Sequence, residues 1–89
     1  MQPRNTAILL FNDAEVLDFA GPYEVFNAAN RMAGEVLFSV YTIAEKKDVI
    51  YARNNLKVIP DYSLNDCPSP DILVVPGGNG RKIEMDNLF

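Results

Sequence analysis

The sequence predicts an α/β fold on a mainly parallel sheet, incomplete as it stands and forming the amino-terminal half of a doubly wound domain. Three observations predict it. Residues 71–75 (Asp-Ile-Leu-Val-Val) and 6–11 (Thr-Ala-Ile-Leu-Leu-Phe) are apolar runs without polar alternation, the pattern of strands covered on both faces. A helical pattern and then a third β-rich run follow residues 6–11, the order of a βαβ unit. Only one complete helix is available to cover these strands, so the 89 residues read as part of a single larger domain of ~150–200 residues.

Taken in order, residues 6–11 form the first strand, and the polar Asn12-Asp13-Ala14-Glu15 forms the loop at its carboxyl end. Residues 16–20 return to apolar character around a single carboxylate, Asp18. Gly21-Pro22 opens a helix, since proline suits a first helical position whose N–H has no partner. Glu24 would then lie in the first turn, where the helix dipole favours negative charge. Pro22, Phe26, Ala29 and Ala33, with Val25 and Met32 beside them, make an apolar stripe at helical spacing. Gly34 stops the helix. Residues 36–43 are rich in β-formers and give a strand. Residues 49–51 and 56–59 flank Asn54-Asn55, a pair that tolerates the left-handed conformation, and read as a hairpin at a sheet edge. Ser63 caps one helical turn over residues 63–66. Residues 67–70 lead extended into the strand at 71–75. Pro76 then ends the ladder, and Gly77, Gly78 and Gly80 supply a loop that turns freely and comes close to other groups. Residues 81–89 begin a second helix.

Composition excludes several kinds of chemistry. The net charge of −4 and the lack of a basic run leave no footprint for nucleic acid. No apolar run reaches the ~20 residues that span a bilayer, and residues 1–5 lack the apolar core of a signal peptide, so a cytoplasmic location is expected. Cys67 is the single cysteine and there is no histidine. Neither an internal disulfide, a cysteine-based metal site nor a Ser-His or Cys-His pair can be assembled from these residues. No cofactor is expected.

Residues 16–26 (Val-Leu-Asp-Phe-Ala-Gly-Pro-Tyr-Glu-Val-Phe), followed by residues 70–78 (Pro-Asp-Ile-Leu-Val-Val-Pro-Gly-Gly), resemble the ThiJ/PfpI superfamily of class I glutamine amidotransferase-like proteins. The resemblance runs from about Thr6 to the end of the chain. Each motif is common, but both together in this order are specific. The Leu-Asp-Phe-Ala-Gly-Pro form is most similar to the isonitrile hydratase branch, and to the related domain at the front of certain AraC-type transcription regulators. The resemblance implies a flavodoxin-like sandwich, a homodimer, and chemistry centred on a cysteine at a later strand-to-helix elbow. It also implies that Asp18 is the carboxylate that contacts that cysteine and Gly78 the anion-pocket glycine, with Asn79 adjacent. The elbow cysteine has no counterpart in these residues, so the chain alone is expected to be inactive.

Each of these residues also has a plainer role. Asp18 can be a helix-entry cap, accepting from N–H groups near Gly21. The catalytic alternative needs its carboxyl desolvated among Val16, Leu17 and Phe19, protonated, and donating to a thiolate. Gly77 and Gly78 can be a simple turn, or can aim backbone N–H groups at a developing oxyanion. Glu24 reads as a dipole partner, Cys67 as a turn residue, Tyr23 and Phe26 as core, and Arg81 and Lys82 as solvated. Two functions follow. One is the front of a cysteine-dependent hydratase or hydrolase acting on a small molecule. The other is a non-catalytic ligand-sensing or dimerisation domain, of the kind fused to a DNA-binding module.

Overall fold

The structure, a computed structural model, describes residues 2–78. Six strands and one α-helix occur among them, in the order β1 (Arg4–Leu9), α1 (Val16–Ala33), β2 (Phe38–Ala44), β3 (Ile50–Ala52), β4 (Leu56–Val58), β5 (Tyr62–Ser63) and β6 (Ile72–Val74). Four strands make one sheet in the order β5-β2-β1-β6, every neighbouring pair parallel. The parallel sheet expected from residues 6–11, 36–43 and 71–75 is therefore present, with the third run beside the first. Ala7, Ile8, Leu9 and Leu10 are wholly buried, as their unbroken apolar pattern requires. Tyr41, Ile43, Phe11, Phe19, Ile50 and Ala52 complete the core around them.

The helix starts earlier than Pro22. It begins at Val16 and carries Pro22 inside it. Val16, Phe19 and Ala20, spaced three and four residues apart, all pack on the core. That burial outweighs an internal proline, which costs about 3 kcal/mol. Glu24 consequently lies beyond the first turn, where it pairs with Arg31 at 2.9 Å. The expected stripe is also displaced: Val25 is 66% exposed and Met32 90%, whereas Phe26 stacks edge-on against Phe38. Tyr23 is 44% exposed and lines a groove with Phe19, Val58 and Ile59, so it is not core. The stop at Gly34 is as expected, with φ 72° and its N–H donating to the Asn30 and Arg31 carbonyls.

Strands β3 and β4 form the expected hairpin, turned by Asn54 and Asn55 at φ 62° and 66°. They make a two-stranded sheet of their own instead of lying at the edge of the main one. The strand that flanks β2 at that edge is β5, too short to show in the sequence, pairing Tyr62 and Ser63 with Ile43 and Ala44. The turn after it reverses the expected capping roles. Asp66 Oδ1 accepts from the Ser63 N–H at 2.8 Å and from the Ser63 hydroxyl at 3.0 Å. The expected helix over 81–89 lies outside the described residues.

Replacing Gly34 with alanine forces a Cβ into the left-handed region, and is expected to lower unfolding stability by about 1–2 kcal/mol, read as a lower urea midpoint. Hydrogen bonds from Ser63 hold the Asp66 carboxyl below its ordinary 3.8. A lowered folded-state value contributes stability above 3.8 and loses it as pH falls through the folded value. Asp66→Ala should therefore lower stability at neutral pH and flatten the acid limb of a stability–pH curve. Leu17, Val25, Met32, Val36 and Ile59 are all more than half exposed, and exposed apolar patches drive association. Sedimentation of the 89-residue chain should show self-association, and a monomer that unfolds cooperatively would contradict this.

Candidate functional site

The sheet order creates one crevice. From β1 the chain leaves through α1 to β2, and it returns to β6 on the other side of β1. In open α/β sheets, ligands bind beyond the carboxyl ends of the strands at such a switch in direction. Two loops meet there: the one after β1, reaching α1 at Val16, and the Pro-Gly-Gly loop after β6.

These loops are joined by backbone. Ala14 pairs antiparallel with Gly78, and the Glu15 N–H donates to the Gly77 carbonyl at 2.8 Å. Gly78 has φ 142°, and a Cβ there would stand 2.5 Å from the Asp13 carbonyl oxygen and 3.0 Å from Ala14 Cα. Only glycine permits this approach. Among the described residues the Gly78 N–H has no partner.

Asp18 reaches the same loop. It sits in the first turn of α1, and its Oδ2 accepts from the Gly77 N–H at 3.0 Å. A Cβ on Gly77 would lie 3.1 Å from that oxygen. The side chain makes no bond near Gly21, so it reaches across the crevice and does not cap its own helix. The desolvating surround expected from Leu17 is absent, because Leu17 is 80% exposed and Asp18 itself is exposed. At successive helical positions the side chains fan apart, and of the three neighbours only Phe19 turns fully inward. Asp18 Oδ1 has no partner among the described residues.

A second layer holds the first loop from behind. Arg53, at the β3–β4 turn, donates from Nε to Asp13 Oδ1 at 3.2 Å and from Nη2 to Asp13 Oδ2 at 3.1 Å, while Nη1 donates to Glu15 Oε1. The bond to Asp13 is the main reason the guanidinium is held even more firmly protonated than usual. Three more bonds run alongside: Arg53 N–H to the Ala14 carbonyl, Asp13 N–H to the Tyr51 carbonyl, and Tyr51 N–H to Asn12 Oδ1. Sequence reasoning missed this layer. Arg53 lies 40 residues from Asp13 along the chain, and no local pattern links them.

The structure thus brings Asp18, Gly77 and Gly78 together. Asn79, Arg81 and Lys82 lie outside the described residues. Cys67 is elsewhere, after the edge strand β5 at the opposite end of the sheet from β6, with Sγ 3.8 Å from the Leu64 carbonyl oxygen. Among the described residues no cluster of His, Cys, Asp or Glu could hold a metal ion, and no helix is long and apolar enough to cross a membrane.

Comparison with known proteins agrees with this architecture. The transcriptional regulator GbdR of Pseudomonas aeruginosa is 26% identical over 78 residues, covering 88% of this chain and 21% of the regulator. An isonitrile hydratase of Pseudomonas putida is 31% identical over 72 residues, covering 81% of this chain and 29% of the enzyme. The crystal structure of an AraC family transcriptional regulator from Pseudomonas putida superposes with a TM-score of 0.72 at 20% identity, over 86% of this chain and 48% of that one. The chain therefore spans less than a third of these two curated relatives and about half of the solved structure. The DJ-1/PfpI family model matches residues 4–88, and on that match across nearly its whole length the chain belongs to the DJ-1/PfpI family.

Proposed function

We propose that these residues are the front part of a cysteine-dependent hydratase or hydrolase domain that acts on a small molecule, in a cytoplasmic homodimer. The observation that carries this reading is the bond from the Gly77 N–H to Asp18 Oδ2 at the carboxyl-end crevice. It anchors one carboxylate oxygen and leaves Oδ1 to face a reacting group. In this reading Oδ1 takes the proton of a cysteine thiol supplied from outside these 89 residues, and the acid so formed donates a hydrogen bond back to the thiolate. The Gly78 N–H, with Asn79 next in the sequence, meets negative charge developing on the substrate. The isonitrile hydratase similarity supports an isonitrile or a related small electrophile as the substrate. For the dimer, support comes from the outer face of α1, where Leu17, Val25 and Met32 are exposed.

A second reading, a ligand-sensing domain of a regulator, is favoured by the GbdR similarity and by the exposure of Asp18, which needs no sulfur to satisfy its bond to Gly77. Asp18→Asn in the full-length protein separates the two. Asparagine keeps an oxygen for the Gly77 N–H but cannot exchange a proton. If Asp18 transfers a proton, turnover of small isonitriles should fall about 10²–10⁴-fold with the melting temperature unchanged. Unaltered turnover removes the catalytic role. No turnover in either protein, together with sequence-specific DNA binding by the full-length chain, establishes the regulator.

A further inference from the structure

We propose that Arg53 is a positioning residue of the glycine loop: by holding Asp13 in its left-handed conformation, it sets the Asp18–Gly77 contact. Asp13 has φ 68°, a region that side-chain-bearing residues enter at a cost. Both of its carboxylate oxygens are gripped by one planar guanidinium, and a two-pronged bond of this kind fixes direction as well as distance. The Asp13 carbonyl is the atom that Gly78 packs against, leaving no room for a Cβ. The next two residues, Ala14 and Glu15, make the backbone contacts to Gly78 and Gly77. The hold on Asp13 is therefore transmitted over two residues to the loop whose N–H meets Asp18. The same guanidinium also steadies Glu15, whose N–H holds the Gly77 carbonyl in place. Arg53 bonds to Asp13, Ala14 and Glu15 and not to Asp18 or the glycines, so its influence on the site is indirect.

This inference rests on Asp18 and the glycine loop being the site, but its test reads the contact itself. If Asp18→Asn left turnover unchanged, the catalytic role would fall and the result below would stand. The measurement is hydrogen exchange at the Gly77 amide in the full-length protein, where local opening is resolved residue by residue. Arg53→Met keeps most of the apolar stem and removes the donors. It should speed Gly77 exchange by about tenfold or more while the Thr42 and Ile43 amides of β2 keep their rates. Arg53→Lys keeps the charge without the fork, so Gly77 should fall between the two proteins, which also provides a reading should Arg53→Met not fold. Glycine adopts φ 68° freely, so adding Asp13→Gly to Arg53→Met should return Gly77 to within about threefold of the parent rate. Unchanged Gly77 exchange in Arg53→Met or Arg53→Lys overturns the proposal. Equal acceleration at Gly77, Thr42 and Ile43 overturns it too, because that marks general destabilisation. A double variant as fast as Arg53→Met shows that the hold does not act through Asp13.

Discussion

Pairing of β1 on both of its edges is the constraint on which everything else rests. Residues 7–10 are fully buried, and backbone N–H and C=O groups without water must find partners in the sheet. β2 supplies them on one side over residues 4–9, and β6 on the other over residues 6–8. Because both ladders are parallel, Ile8 lies level with Val74, and the loops leaving β1 and β6 emerge at one height. Ala14 can then pair with Gly78, and Asp18 can reach Gly77. The crevice is a consequence of strand register before it is a consequence of any side chain.

The helix that presents Asp18 carries an internal cost for doing so. Pro22, four residues on, cannot donate to the Asp18 carbonyl, so this turn is held less by its own ladder than by what it packs on. Phe19 and the neighbouring Val16 and Ala20 supply that packing. At the other end of the helix, Asn30 accepts from the Leu37 and Phe38 N–H groups and donates to the Phe38 carbonyl, tying α1 to the start of β2. The helix is thus fixed by an apolar anchor near its start and a polar anchor near its end.

The parts of this fold legible in the sequence are those where one physical demand acts alone. Unbroken apolar runs marked β1 and β6, paired asparagines marked the β3–β4 turn, and Gly34 marked the end of α1. The start of α1 was misread because two demands conflict there, and local proline chemistry lost to the burial of Phe19. Strand β5 was invisible because two residues carry no period. At the site, the residue types of Asp18, Gly77 and Gly78 were readable, as was the likelihood of a loop after each strand. Arg53, Asp13 and Glu15 were not, because ion pairs between distant segments leave no local pattern.

The order in which this sheet is completed has a consequence during synthesis. β1, α1 and β2 are consecutive, so they can associate as soon as they leave the ribosome. β6, which covers the other edge of β1, is made last of the described sheet strands. At ~5–20 residues per second, the stretch from Ala44 to Ile72 takes about 1–6 s to make. Throughout that interval β1, the most deeply buried of the described strands, presents an open edge, the feature that templates pairing with other chains. The central position that makes β1 the best-protected strand of the finished fold leaves it the most exposed one of the nascent chain.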